Sequence, residues 1–453
     1  MLLQFLLPFG PILHATAVVA SKSVPTVGMS PVDWADAGSV LGVNTHNPMP
    51  IAEVELDLLQ RAGFRWIRTD VSWASIETRS GVYNFSSADY NIDAFFKQLS
   101  SRNIGWVAIL SDSNPVYGAA AGIGHLGLNA TDGQRSAYSR FAQSIAQRYS
   151  TSNQVLWELV NEPNTGGGYE RAPLYAAVAY PAARAIRSVG GQVAAPAVAN
   201  IDFSWLQELF ELGLGDVTDV LTCHPYRGDA PETFLPNAAA LSAMIKRYTP
   251  INASMRLSVG EVGYSYGAQN PTDATPIDAT TQAHLVVRVF LTALAAEARP
   301  AIWYDWKSAP LKPGCSGSQC GEHMGIIDAN RQPLPGYHAV RTLNTMISGM
   351  EFQSKVGVCH TDPCITTADD FALTFKNASH LLVVAWSVTS FNHSASLKFT
   401  RGCWHQFDWM GKVLPDVCPR GNLDRRLAMD TSVAERYINV YLSSAPLYLL
   451  QTL

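Results

Sequence analysis

The sequence predicts an α/β protein, a (β/α)8 TIM barrel followed by a small C-terminal antiparallel β-sandwich domain, on three observations. Eight short apolar runs alternate with eight amphipathic stretches between residues 38 and 349. No Gly-x-Gly-x-x-Gly turn follows the first run, which argues against an open dinucleotide-binding sheet. After Gly349 the helical periodicity stops, and short alternating runs separated by turn residues and cysteines take over.

The barrel elements follow in order. Strands are expected over residues 40–44, 64–69, 105–110, 155–161, 192–197, 217–223, 256–261 and 301–305. Each is apolar along its length, as a strand covered on both faces by helices must be. Helices are expected over 51–62, 92–102, 134–149, 174–189, 205–212, 238–248, 281–297 and 336–347. The first carries Glu53, Glu55 and Asp57 near its start, where the helix dipole favours acids. In residues 350–453 the runs 381–387, 396–399, 437–442 and 447–450 read as strands. Residues 21–37 are turn-rich, and either wrap the barrel base or lend a strand to the C-terminal domain.

At 453 residues, 47% of them hydrophobic, the chain can build two substantial cores. Its net charge of −5 comes without any Lys/Arg run to track phosphates, so nucleic acid and anionic membranes are poor partners. Residues 1–20 lack charge and pass from an apolar run to small residues, the pattern of a signal peptide that directs secretion. No other segment is apolar enough to span a bilayer. Six of the seven cysteines lie between Cys315 and Cys418. Their intervals suggest disulfides Cys315–Cys320, Cys359–Cys364 and Cys403–Cys418, with other connectivities open, and leave Cys223 as a buried thiol. Metal binding by these cysteines competes as a reading but lacks a matching histidine pair. Asn-x-Ser/Thr triplets at Asn84, Asn129, Asn252, Asn377 and Asn392 are compatible with a secreted glycoprotein.

Two strand ends carry the chemistry. The run Gln154-Val-Leu-Trp-Glu-Leu-Val-Asn161 stops abruptly at Glu162-Pro163, and Met255-Arg-Leu-Ser-Val-Gly260 stops at Glu261. In a parallel barrel all strands deliver their C-terminal ends to one face, so these two acids can meet despite their distance in sequence. A pair of carboxyls flanking one site is the apparatus of glycoside hydrolysis. No cofactor or metal is implied.

The quoted residues also resemble a known group. Trp157-Glu-Leu-Val-Asn-Glu-Pro-Asn164, Val259-Gly-Glu-Val-Gly263, His224-Pro-Tyr226 and Trp303-Tyr-Asp-Trp306 are similar to clan A retaining glycoside hydrolases, most closely family 39 and then family 5. Met324-Gly-Ile-Ile-Asp328, followed by Pro333-Leu-Pro-Gly-Tyr-His-Ala-Val340, extends the likeness into the eighth helix. The resemblance implies that Glu162 is the general acid/base, Glu261 the nucleophile, and Asn161 a partner of the sugar 2-hydroxyl. Strict alternation would send Asn161 and Glu162 to opposite faces, so a bulge or kink at that strand end is required.

Weaker candidates surround the acids. Arg68 either holds Glu261 ionised or pairs with the deeper Glu158. His224 and Tyr226 either hydrogen-bond the nucleophile or are satisfied rim residues. Trp303 and Trp306 either floor a sugar subsite or close the core. His46, Asn114 and Tyr264 stand at strand ends, and Glu322 is a loop acid, solvated by default. The expected function is a secreted, extracellular β-glycosidase acting on a poly- or oligosaccharide. The alternative is a catalytically silent carbohydrate-binding or adhesion protein on the same barrel.

Overall fold

The computed structural model describes residues 32–46, 50–118, 126–127, 130–149, 154–166, 168–250, 254–271, 273, 275–308, 323–359, 366–389, 391–398, 402–419 and 437–453. The predicted signal segment, Glu322, Cys315, Cys320, Cys364, Asn129 and Asn252 lie outside them.

Eight parallel strands close into a barrel: β1 (Leu41–Asn44), β2 (Trp66–Val71), β3 (Gly105–Leu110), β4 (Val155–Leu159), β5 (Gln192–Ala199), β6 (Val220–His224), β7 (Arg256–Val262) and β8 (Ala301–Trp303). The seam is made by β8 against β1, with Gly42 opposite Ile302. One principal helix follows each strand: α1 (Glu53–Ala62), α2 (Ile92–Ser101), α3 (Asp132–Tyr149), α4 (Ala172–Arg187), α5 (Phe203–Glu211), α6 (Phe234–Tyr248), α7 (Ala279–Ala295) and α8 (Pro335–Ile347). Strand ends fall within a few residues of those expected from the apolar runs. The largest difference is at β6, which starts at Val220 because the preceding Leu214–Val217 forms a helical turn.

Inside the barrel, alternation sorts the side chains into layers. Trp66, Val107, Leu156, Ala194, Val220 and Ile302 form the floor. The indole of Trp66 fits because its flanking strands carry glycine. A Cβ on Gly42 would stand 2.4 Å from Ile302 and 2.7 Å from Trp66, and one on Gly105 would stand 2.6 Å from the Trp66 ring. Trp34 stacks on Trp66 from below at 5.5 Å between ring centroids, and the Arg256 guanidinium covers Trp34 at 4.4 Å. Two residues above the floor on their own strands, Arg68, Glu158 and Thr222 fill the next layer, all buried. The floor excludes water from below, so the charged layer is solvated only from the mouth.

Beyond the barrel, a six-stranded antiparallel sheet packs against it and a three-stranded one packs on that sheet's far face. The six-stranded sheet runs in the order β15-β14-β17-β12-β11-β9, and the outer three-stranded sheet in the order β10-β13-β16. These are β9 (Glu351–Lys355), β10 (Val358–Cys359), β11 (Asp370–Lys376), β12 (His380–Ser387), β13 (His393–Lys398), β14 (Trp404–Phe407), β15 (Val413–Val417), β16 (Tyr437–Leu442) and β17 (Leu447–Thr452). Four correspond to expected runs. β9 and β15, which are largely solvent-facing, and the short β10 and β14 carry too little alternation to be read from sequence, and Asp370 begins β11 with an acid.

A buried ion pair fastens the sheet to the barrel. Arg288 of α7 donates from Nε and Nη2 to both oxygens of Glu232, each at 2.7 Å, and the indole Nε1 of Trp386 on β12 donates to Glu232 at 2.6 Å. Asp36 bridges Glu351, so the segment ahead of β1 touches both the barrel floor and the added sheet. Cys403 and Cys418 form a disulfide, Cys359 is disulfide-bonded, and Cys223 is a buried thiol whose pKa burial pushes up to about 12. Among the described residues no helix is long and apolar enough to cross a membrane.

Candidate active site

Both acids leave the regular strand pattern just where they reach the barrel mouth. After β4, Val160 adopts φ +65° and Glu162 φ +46°, left-handed values that L-residues seldom hold. That turn breaks the alternation, so Asn161 and Glu162 both face the mouth, as the bulge requirement demanded. The Glu162 amide donates to the Ala197 carbonyl at 2.9 Å, and Asn164 accepts from the Ala199 amide at 2.8 Å while donating to its carbonyl at 3.1 Å. Backbone left unpaired by the turn is thus tied to β5. On β7 the ladder with β8 shifts register between Val259 and Val262, and Gly260 and Glu261 face the mouth together. A Cβ at Gly260 would stand 2.2 Å from Thr222 Oγ1, so only glycine lets Glu261 in beside His224.

Arg68 is the hub. Its Nε and Nη2 clasp Glu158 at 3.1 and 2.6 Å, and its Nη1 donates to Glu261 at 2.6 Å and to Asn44 Oδ1 at 3.0 Å. Nη2 also donates to Asn161 Oδ1 at 2.6 Å and approaches His224 Nε2 at 3.3 Å. Both functions considered for Arg68 are therefore realised at once: it neutralises buried Glu158 and grips Glu261. Because guanidinium only donates, His224 Nε2 is the acceptor, and its Nδ1–H donates to Glu162 at 2.9 Å. His224 lies 3.8 Å from Glu261, so its nearer acid is Glu162. The Tyr226 hydroxyl donates to the other oxygen of Glu261 at 2.7 Å.

These contacts set the charge of Glu261. Burial pushes its pKa up, but the positive charge of Arg68, the neighbouring His224 and the hydrogen bonds from Tyr226 and Arg68 outweigh it and hold the carboxyl below its ordinary value. Donor atoms of Glu162, His224 and Glu261 all lie within 4.8 Å of one another. That spacing resembles a cation site, yet the Arg68 guanidinium 2.6 Å from Glu261 already supplies a permanent positive charge there and would repel a divalent ion.

The remaining predicted residues divide. His46 is at the rim, with Nε2 3.1 Å from both Asn44 Nδ2 and the Tyr304 hydroxyl. Asn114 is directed elsewhere: it is buried, caps the turn Pro115–Tyr117, and donates to the carbonyls of Trp73 and Glu77. Tyr264 donates to the Asp229 carbonyl, Trp303 to the Met324 carbonyl at 2.8 Å, and Trp306 to Glu55 at 3.2 Å. Both tryptophans are buried in the layer between strands and helices, which is the core-closing reading of them.

The ring that faces the site instead is Tyr304, at 6.4 Å from Tyr226 and 5.4 Å from His46 between centroids. Parity could have found it. Ile302 belongs to the barrel floor, so two residues on Tyr304 points inward while Trp303 points out. Asn44 and Asp70 also escaped the sequence reading, since neither carries a motif.

Gly263 makes room for this arrangement, for a Cβ there would meet the Tyr304 carbonyl at 1.9 Å and Met324 Sδ at 2.7 Å. Gly263→Ala is expected to displace Tyr304, destabilise the fold by about 1–3 kcal/mol and raise KM more than it lowers kcat. Urea denaturation alongside steady-state kinetics checks both halves.

Among solved structures, the chain resembles a family 39 glycoside hydrolase from Bacteroides cellulosilyticus WH2, with TM-score 0.68 and 18% identity, covering 93% of this chain and 82% of that one. It also resembles a monomeric β-xylosidase from Caulobacter crescentus CB15 (TM-score 0.59, 15% identity, 93% and 97% covered). A GH30 endoxylanase from Clostridium papyrosolvens C71 is similar as well (TM-score 0.59, 12% identity, 92% and 96% covered). These likenesses concern the fold. No curated protein matches the sequence significantly. Residues 31–308, which span the whole barrel of strands and both acids, match the family described as Cellulase (glycosyl hydrolase family 5), and the chain belongs to that family of glycoside hydrolases.

Proposed function

We propose that this chain is a secreted retaining β-glycosidase that cleaves O-glycosidic bonds of a poly- or oligosaccharide by double displacement. The observation that carries the reading is the approach of a Glu162 oxygen to within 4.8 Å of a Glu261 oxygen. Retaining enzymes hold their carboxyls about 5–5.5 Å apart, whereas inverting ones need about 6.5–9.5 Å to seat a water between them.

Glu261, kept ionised, attacks the anomeric carbon while Glu162 gives its proton to the departing glycosidic oxygen, leaving a glycosyl ester on Glu261. Glu162, now a carboxylate steadied by the His224 Nδ1–H, takes a proton from water. The resulting hydroxide attacks the same carbon from the opposite side and returns Glu261 to its carboxylate form. Two inversions restore the starting configuration. Asn161, oriented by Arg68, keeps its amide nitrogen for a sugar hydroxyl, and Tyr304 and Tyr226 offer rings for the apolar sugar face.

Secretion is supported by the uncharged apolar start of the chain and by the Cys403–Cys418 disulfide, which suits an oxidising compartment. Because similar barrels are described as a β-xylosidase and an endoxylanase, β-xylosides and xylan head the substrates to try. The test is a panel of aryl β-glycosides and polysaccharides with the first-formed product anomer read by NMR. A β-anomer appearing first is expected. An α-anomer appearing first, or sugar binding with no release from any substrate, overturns the reading.

A further inference from the structure

At the rim, five side chains form a line from solvent to the nucleophile. Asp70 Oδ2 lies 3.7 Å from His46 Nδ1, and His46 Nε2 lies 3.1 Å from Asn44 Nδ2. Asn44 Oδ1 then accepts from Arg68 Nη1 at 3.0 Å, and the same Nη1 donates to Glu261 at 2.6 Å. Asn44 is buried on β1, its backbone carbonyl accepts from the Trp306 amide at 3.0 Å, and its side-chain amide lies between Arg68 and His46. Its amide therefore has one workable orientation. Oδ1 must face the guanidinium, so Nδ2 must face His46, and His46 Nε2 must be a bare acceptor with the proton on Nδ1 toward Asp70.

We infer that His46 is a positioning residue: as a neutral acceptor it fixes the Asn44 amide that orients Arg68 against Glu261, and its protonation releases that hold. A proton on Nε2 would set two donors against each other at 3.1 Å. Flipping the Asn44 amide only moves the conflict, because Nδ2 would then face Arg68 Nη1 at 3.0 Å. The ring can escape by turning Nε2–H toward the Tyr304 hydroxyl, which breaks the link to Asn44. The groups facing His46 are Asp70 on β2, Glu261 on β7, and Tyr304 and Asp305 after β8. Asp70 at 3.7 Å, with the charges of Asp305 and Glu261, raises the His46 pKa above the ordinary histidine value despite burial. The change of state therefore falls above the ordinary histidine range, whereas Glu261 titrates below the ordinary carboxylate range.

This inference rests on the glycosidase reading for its activity readout, but its structural half stands apart from it. In the wild type, kcat/KM is expected to step up by about three- to tenfold as His46 loses its proton, the effect of one well-placed hydrogen bond. In His46→Gln, whose side-chain oxygen accepts without titrating, the step should vanish whatever the absolute activity. Nitrogen-15 NMR of the wild-type histidines should show His46 with Nε2 bare at high pH. An Nε2–H tautomer there, or an unchanged step in His46→Gln, overturns the inference. Absence of hydrolysis at every pH with the predicted tautomer in place would overturn the proposed function and leave the hydrogen-bond line standing.

Discussion

Glu261→Gln is expected to lower kcat by at least about 10⁴-fold on aryl β-glycosides while leaving sugar binding within a few-fold, because the amide keeps the shape of the side chain but cannot form the glycosyl ester. Shape alone does not explain the size of the loss. The wild-type carboxylate is held by Arg68 and Tyr226 at 2.6 and 2.7 Å, so in the proposed reaction its charge would meet the developing positive charge at the anomeric carbon without reorganisation. Glu261→Ala tests the proposed nucleophile apart from the rest of the site. With azide as an external nucleophile in the vacated space, it should release the glycosyl azide of inverted configuration, since only one displacement then occurs. A variant that keeps wild-type turnover, or a rescued product of retained configuration, removes Glu261 from the nucleophile role.

The second large effect is expected at Arg68. Arg68→Met strands Glu158, which is fully buried with its carboxylate clasped by the guanidinium, and removing one partner of such a pair costs about 3–5 kcal/mol. It also removes the charge that holds the Glu261 pKa down, while the burial that pushes it up remains. The sign follows from linkage. A carboxyl whose folded pKa lies below its unfolded value contributes stability above the unfolded value, and that contribution is lost as pH falls through the folded pKa. In Arg68→Met this contribution disappears, and the acid limb of the kcat/KM profile should move to higher pH. Arg68→Met combined with Glu158→Leu should recover much of the stability lost by the single change, yet not the activity, because Glu261 still lacks its cation. Denaturation and pH–rate profiles of the two variants decide it. Recovery of both together would mean that Arg68 serves the fold alone.

Much of this architecture was legible from pattern. Strands buried on both faces read as apolar runs, and eight of them punctuated by helices close a barrel for the same reason in the sequence and in the structure. The added sandwich was legible only in part, because β9 and β15 are largely solvent-facing and so lack the alternation that marks a half-buried strand. Of the two roles open to Trp303, the structure realises the core-closing one. Trp303 is the larger ring, yet strand parity with Ile302 turns it to the helices and brings Tyr304 inward. Asn114 offered an amide at a strand end, and the backbone of the neighbouring turn consumed it.

The barrel, and the strand ends that carry Glu162 and Glu261 to its mouth, follow from the sequence alone, because they depend on local periodicity and on where an apolar run stops. Which way those acids point, and which of the candidate partners hold them, depends on the closed barrel. The left-handed turn at Val160 and the register shift before Val262 re-aim side chains against the period of two, and no residue preference announces either. Pattern offered Arg68 either Glu158 or Glu261 as its partner; that it holds both at once, and Asn44 and Asn161 with them, emerges only with β1, β2, β4 and β7 side by side, for contacts between strands follow from register and closure rather than from spacing along the chain.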